Sequence, residues 1–103
     1  MSTENETSIK VIVELHAKPG RRAELKNLLA SVVAKYGSVQ PGFLGSVQYE
    51  VIDNPDILVE IADWASAEVR ATAMQQAMVD GAYAPLEELL AAPFRATVIT
   101  QLP

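Results

Sequence analysis

The sequence predicts an α+β fold, with one four-stranded antiparallel sheet and two helices in the order β-α-β-β-α-β. Four segments show period-two alternation or β-branched runs, two stretches between them carry apolar residues at helical spacing, and Pro- or Gly-containing breakers separate the pieces. The length of 103 residues, 50% hydrophobic and 20% charged, suits one compact domain with its own core. A polar tail is expected over residues 1–8 and a single domain over residues 9–103.

The first strand is expected over residues 9–17, with Val11, Val13 and Leu15 on one parity and Lys10, Ile12, Glu14 and His16 on the other. Pro19-Gly20 breaks it, and Leu25, Leu28, Leu29, Val32, Val33 and Tyr36 follow as one helical stripe ending near Gly37. After Pro41-Gly42, residues 43–52 alternate Phe43, Gly45, Val47, Tyr49 and Val51 with Ser46, Gln48 and Glu50, which reads as the second strand. Asp53-Asn54-Pro55-Asp56 holds the turn formers of a hairpin, so the third strand, residues 57–64, should run antiparallel to the second.

Ser66 is placed to cap a second helix, Glu68 suits its N-terminal end, and good helix formers continue to Val79 before Gly81 stops it. A shorter helical piece over residues 82–91 carries Tyr83, Leu86 and Leu90 on one side, and Pro93 ends it. Residues 94–102 alternate Phe94, Ala96, Val98 and Leu102 with Arg95, Thr97 and Gln101, as a last strand should. This is the split βαβ, or ferredoxin-like, arrangement. Two helices cover only one face of such a sheet, yet the first and third strands carry apolar residues on both parities, Ile12 against Val11 and Val13, and Leu58 against Ile57, Val59 and Ile61. A second copy of the chain, sheet against sheet in a two-fold homodimer, is the simplest cover.

The absence of cysteine excludes disulfides, thiolate metal sites, iron–sulfur clusters and cysteine nucleophiles. A net charge of −5 works against a phosphate-neutralising surface; the cluster Lys18, Arg21, Arg22 and Lys26 reads as a solvated helix face, and no nucleic-acid partner is expected. No apolar run reaches membrane-spanning length and residues 1–8 lack the charged and apolar regions of a signal peptide, so a cytoplasmic protein without a membrane partner is expected. None of the five glycines forms a dinucleotide or nucleotide-phosphate loop, and no cofactor is implied. His16 is the only histidine, so a multi-histidine metal site would need both chains of a dimer and no metal is expected; a Ser-His-Asp triad has no G-x-S-x-G elbow to go with it.

Trp64, the only tryptophan, ends the third strand. It can wall a pocket between sheet and helices and stack on a planar ring, or simply plug the core. Glu60 shares a strand face with Leu58, Ala62 and Trp64, where desolvation would raise its pKa and suit it as a general base. Pairing with Arg70 or Arg95, or escape to solvent at the sheet edge, are the alternatives. Tyr49, Met74, Met78 and Tyr83 are candidate substrate-binding residues, or ordinary core.

Several segments together resemble the antibiotic biosynthesis monooxygenase (ABM) domain family. They are Ala17-Lys18-Pro19-Gly20-Arg21 with the Leu-rich helix after it, Pro41-Gly42-Phe43-Leu44 before Tyr49-Glu50-Val51, Asn54-Pro55-Asp56, and Asp63-Trp64-Ala65-Ser66. The resemblance spans nearly all of the chain after the tail and implies a dimeric α+β barrel. It also implies a cofactor-independent monooxygenase acting with dioxygen on a small aromatic phenol, quinol or anthrone-like substrate, with Glu60 and Trp64 in the catalytic site. Some relatives place an Asn four residues before the Trp, the register of Glu60. Members resembling quinol monooxygenases carry a Glu two residues before the Trp and a His on the second helix, where this chain has Ala62 and Ala73 or Met74. Those departures leave a second function open, a non-catalytic homodimer that binds a small apolar ligand or serves in stress. Haem degradation is the weaker third, for want of a helix-two histidine.

Overall fold

The computed structural model describes residues 8–103, so the expected tail lies, apart from Ser8, outside the described residues. The elements in chain order are β1 (Ile9–His16), α1 (Arg22–Tyr36) with a 3₁₀ turn (Gly37–Val39), β2 (Phe43–Glu50), β3 (Ile57–Trp64), α2 (Ala67–Val79), α3 (Ala84–Glu87) and β4 (Arg95–Ile99). The sheet order is β2-β3-β1-β4 with every neighbouring pair antiparallel, the predicted ferredoxin-like topology.

Local chemistry explains most boundaries. The Asp53–Asp56 region folds β2 back on β3: the Asp56 amide donates to Asn54 Oδ1 at 3.0 Å and the Ile57 amide to the Asn54 carbonyl. Asp56 also ties down the Pro19-Gly20 turn, accepting from the Gly20 amide at 3.1 Å through its carboxylate and from the Ala17 amide at 2.8 Å through its carbonyl. Ser66 caps α2, its Oγ accepting from the Val69 amide at 3.1 Å. Gly42 has φ +84° and sits so close to α2 that a Cβ there would collide with the Val69 side chain, so only glycine suits the approach.

The last strand, expected over residues 94–102, is the shorter β4 (Arg95–Ile99), and two further pieces differ from their sequence-based expectation. The helical piece expected over residues 82–91 shortens to α3, because the Lys18 amide donates to the Leu89 carbonyl and the Ala91 amide to the His16 carbonyl, pulling residues 89–91 into a bridge beside the end of β1. In β2 a bulge between Phe43 and Gly45, where Gly45 has φ +133°, breaks the simple alternation. Phe43 thereby pairs with Trp64, and Ser46, Gln48 and Glu50 pair with Ala62, Glu60 and Leu58, so Phe43 shares the helix-covered face with the polar parity while Val47 and Tyr49 take the other.

The helix-covered face carries Val11, Val13 and Leu15 of β1 and Leu58, Glu60, Ala62 and Trp64 of β3. Two buried clusters lie over it. Leu15, Leu58, Leu25, Leu29, Leu86 and Leu90 pack one end, and Ile9, Val11, Ala62, Trp64 and Ala73 the other. The opposite face bears Ile12, Ile57, Val59 and Ile61, which are half-buried, together with the exposed Val47, Tyr49 and Ile99.

Candidate functional site

A cavity of about 100 Å³ opens between the sheet and the helices. Its floor comes from β1 and β3 (Val11, Val13, Glu60, Ala62, Trp64), one wall from the end of α1 and the turn after it (Val32, Val33, Tyr36, Gly37), and the other from α2 (Arg70, Ala73, Met74, Ala77). Tyr83, Leu86, Phe94 and Ala96 complete it from the last part of the chain. Two aromatic pairs frame the space edge to face: Phe43 with Trp64, ring centres 5.1 Å apart, and Tyr83 with Phe94, 5.8 Å apart. Gly37 lets Phe43 lie close, since a Cβ there would come within 2.8 Å of its ring.

Glu60 is 9% exposed and is the one buried charged side chain among the described residues. β3 places it two pleats from Trp64, and the β2–β3 hairpin register sets Gln48 opposite it, so that Gln48 Nε2 donates to Glu60 Oε2 at 3.2 Å. Burial pushes the carboxyl above the usual carboxylate range, with hydrogen bonds from Ser46 and Gln48 pulling partly the other way. Neither expected arginine pairs with it: Arg95 stands in the register of Glu14, on the opposite face, and Arg70 lines the cavity without an ion pair to any described residue. Burial likewise raises the Tyr83 phenol, the Glu60 charge adds to the rise and Arg70 opposes it; its hydroxyl donates to Met74 Sδ at 3.3 Å.

Glu60, Trp64, Met74 and Tyr83 therefore line one cavity. Tyr49 does not, because it pairs with Val59 on the other face of the sheet and is 49% exposed. Met78 does not either: one residue past the buried Ala77, it turns out of the helix's inner face and is 76% exposed. Ala62 and the Ala73-Met74 pair border the cavity, so the positions where quinol-monooxygenase-like members carry Glu and His here present apolar surface. His16 is exposed and pairs with Glu14 at 3.2 Å, away from the cavity. Sequence reasoning missed Gln48, although a hairpin centred on Asn54 already places residue 48 opposite residue 60. No group of three or more His, Asp or Glu that could hold a metal ion occurs among the described residues, and no described helix is long and apolar enough to cross a membrane.

The fold recurs in solved structures. A conserved protein from Methanosarcina mazei Go1 superposes with a TM-score of 0.82 at 18% identity over 99% of this chain and 100% of that one. SnoaB, a cofactor-independent oxygenase from Streptomyces nogalater, gives 0.79 at 20% identity over 94% and 95%, and Rv0793 from Mycobacterium tuberculosis 0.76 at 23% over 94% and 97%. No curated protein matches the chain in sequence. The sequence model of the family described as antibiotic biosynthesis monooxygenase matches residues 8–80, a stretch that holds the β-α-β-β-α core with Glu60 and Trp64, and the chain belongs to that family.

Proposed function

We propose that the protein is a cofactor-independent monooxygenase that oxidises a small phenolic or quinol ring with dioxygen, with Glu60 as the base and Trp64 positioning the ring. The observation that carries this reading is a buried carboxylate and a tryptophan on one strand face, both bordering an apolar cavity. Apolar cavities of about 150 Å³ take up benzene, so the space here has the scale of a single ring, which ranks phenols and quinols before anthrone-like polycycles. Its family membership and its likeness in fold to SnoaB support the same chemistry.

A ring hydroxyl next to Glu60 passes its proton to the carboxylate, whose raised pKa makes it the stronger acceptor. The electron-rich ring then reduces dioxygen in a space with little water. For a quinol the balance closes without another reductant: one oxygen atom becomes bonded to a ring carbon, the O–O bond breaks, and the second oxygen leaves as water with two hydrogens of the substrate. All four electrons come from the ring. Oxygen uptake with hydroquinones and small naphthoquinols tests this. Glu60→Ala should cost at least about a hundredfold in kcat and Trp64→Phe should raise KM; unchanged turnover in both variants removes these roles.

The apolar lining at Ala62, Ala73 and Met74 favours a second reading, a non-catalytic ring-binding protein. A ring ligand that raises the melting temperature without oxygen uptake would select it. Either reading includes a homodimer, with the apolar outer face of the sheet (Ile12, Val47, Tyr49, Val59, Ile61) covered by a second copy. Light scattering after size exclusion should give twice the chain mass at micromolar concentration, and a stable monomer overturns the dimer.

A further inference from the structure

The inner face of α2 carries one residue out of character. Arg70, Ala73, Met74 and Ala77 fall at i, i+3, i+4 and i+7, a single stripe that borders the cavity, and three of the four are small or apolar. The fourth is a permanently charged guanidinium with five donors. Arg70 is only partly exposed, and none of the ion pairs or side-chain hydrogen bonds among the described residues uses it. Lys10, Arg21 and Arg22, by contrast, each hold a carboxylate. Arg70 and Glu60 are the two charged residues bordering the cavity, on its α2 wall and its sheet floor, and both act on the Tyr83 hydroxyl, in opposite senses.

We infer that Arg70 is a specificity residue that selects aromatic ligands carrying a carboxylate, held toward α2 while the ring's hydroxyl meets Glu60. A guanidinium matches a carboxylate in a two-point, charge-assisted contact, and the apolar lining strengthens that contact by excluding water. The same carboxylate turned toward Glu60 would face a like charge, so the two ends of the cavity also orient the ring. The inference rests on the cavity being the ring site, as proposed above, and adds the chemical class of the ligand: a hydroxylated benzoate in preference to a neutral phenol or quinol.

The single tryptophan borders the cavity and supplies the readout. Quenching of Trp64 fluorescence is titrated with hydroquinone, 2,5-dihydroxybenzoate and the methyl ester of that acid, on the wild-type full chain and on Arg70→Gln and Arg70→Lys. The acid should bind at least about tenfold tighter than hydroquinone, the scale of a hydrogen-bonded charge. The ester should lose that advantage in the wild type, a comparison that does not depend on any variant folding. Arg70→Gln should bring acid and hydroquinone level, and Arg70→Lys should keep part of the preference. An acid that binds no better than hydroquinone, an ester as tight as the acid, or a preference that survives in Arg70→Gln overturns the inference. Oxygen uptake measured alongside separates the two proposals: selective binding of the acid without uptake removes the oxygenase reading and leaves Arg70's role standing, whereas quenching by none of the three removes both.

Discussion

The two ends of the layer between sheet and helices are built on the same strands and filled differently. At one end β1 and β3 contribute Leu15 and Leu58, α1 adds Leu25 and Leu29 one turn apart, and Leu86 and Leu90 close the remainder, with Leu15, Leu29 and Leu86 also bordering the cavity. At the other end β3 contributes Ala62 and Trp64, α2 faces them with Ala73 and Ala77, and the volume those alanines leave unfilled becomes the cavity. The cavity thus runs from the leucine cluster to the inner side of α2, bordered by large aliphatic residues at one end and by Ala62, Ala73 and Ala77 at the other. The same contrast separates packing from space: the leucine end is filled by large side chains, and the alanine end borders the cavity proposed above as the ring site.

The contrast breaks first at Leu25, which is 0% exposed. Leu25→Ala should lower the unfolding free energy by about 2–5 kcal/mol in urea titrations; a loss below about 1 kcal/mol would mean that the leucine end is not the stabilising one. Ala73→Leu tests the other end by adding bulk where the cavity lies. Ring binding should weaken by at least about tenfold, with a stability change no larger than the roughly 1–3 kcal/mol of a crowded core. Undiminished binding would move the site elsewhere.

The smallest effect is expected from Glu60→Gln, read as stability against pH. Burial raises the carboxyl above its ordinary value of 4.5, so the folded chain holds its proton to higher pH than the unfolded one. The ionised group therefore disfavours folding at neutral pH, and the penalty disappears as pH falls toward 4.5. The Gln variant, whose side-chain oxygen can still accept from Gln48, should melt a few degrees above wild type at pH 7 and lose that advantage in acid. A gain that grows in acid would show that the fold stabilises the ionised carboxylate instead of penalising it.

Much of the frame was legible in the residues. The third strand has the bounds its β-branched run predicts, Ile57–Trp64, and Ser66 caps α2 as its type and place require, because both signals are local. The polar parity of β2 was harder to place, since a bulge at Gly45 depends on one backbone angle and reverses where Phe43 points. Arg70 was visible only as a partner for Glu60; its place on the inner stripe becomes readable once Ala73 and Ala77 are known to face the sheet. Tyr49 and Met78 fail as cavity residues for a related reason, because an aromatic or a methionine at the correct period states a preference for burial and does not state under which surface.

The short bridge between Ala17 and Leu90 has a consequence for what counts as the unit of this fold. The family's matched region ends at residue 80, yet Leu86 and Leu90 belong to the buried leucine cluster, and Tyr83, Leu86, Phe94 and Ala96 border the cavity. A polypeptide cut at that boundary would expose Leu15, Leu25 and Leu29 and leave the cavity without one side. The stretch matched by the family's sequence model and the stretch needed to close this core therefore part company at Asp80.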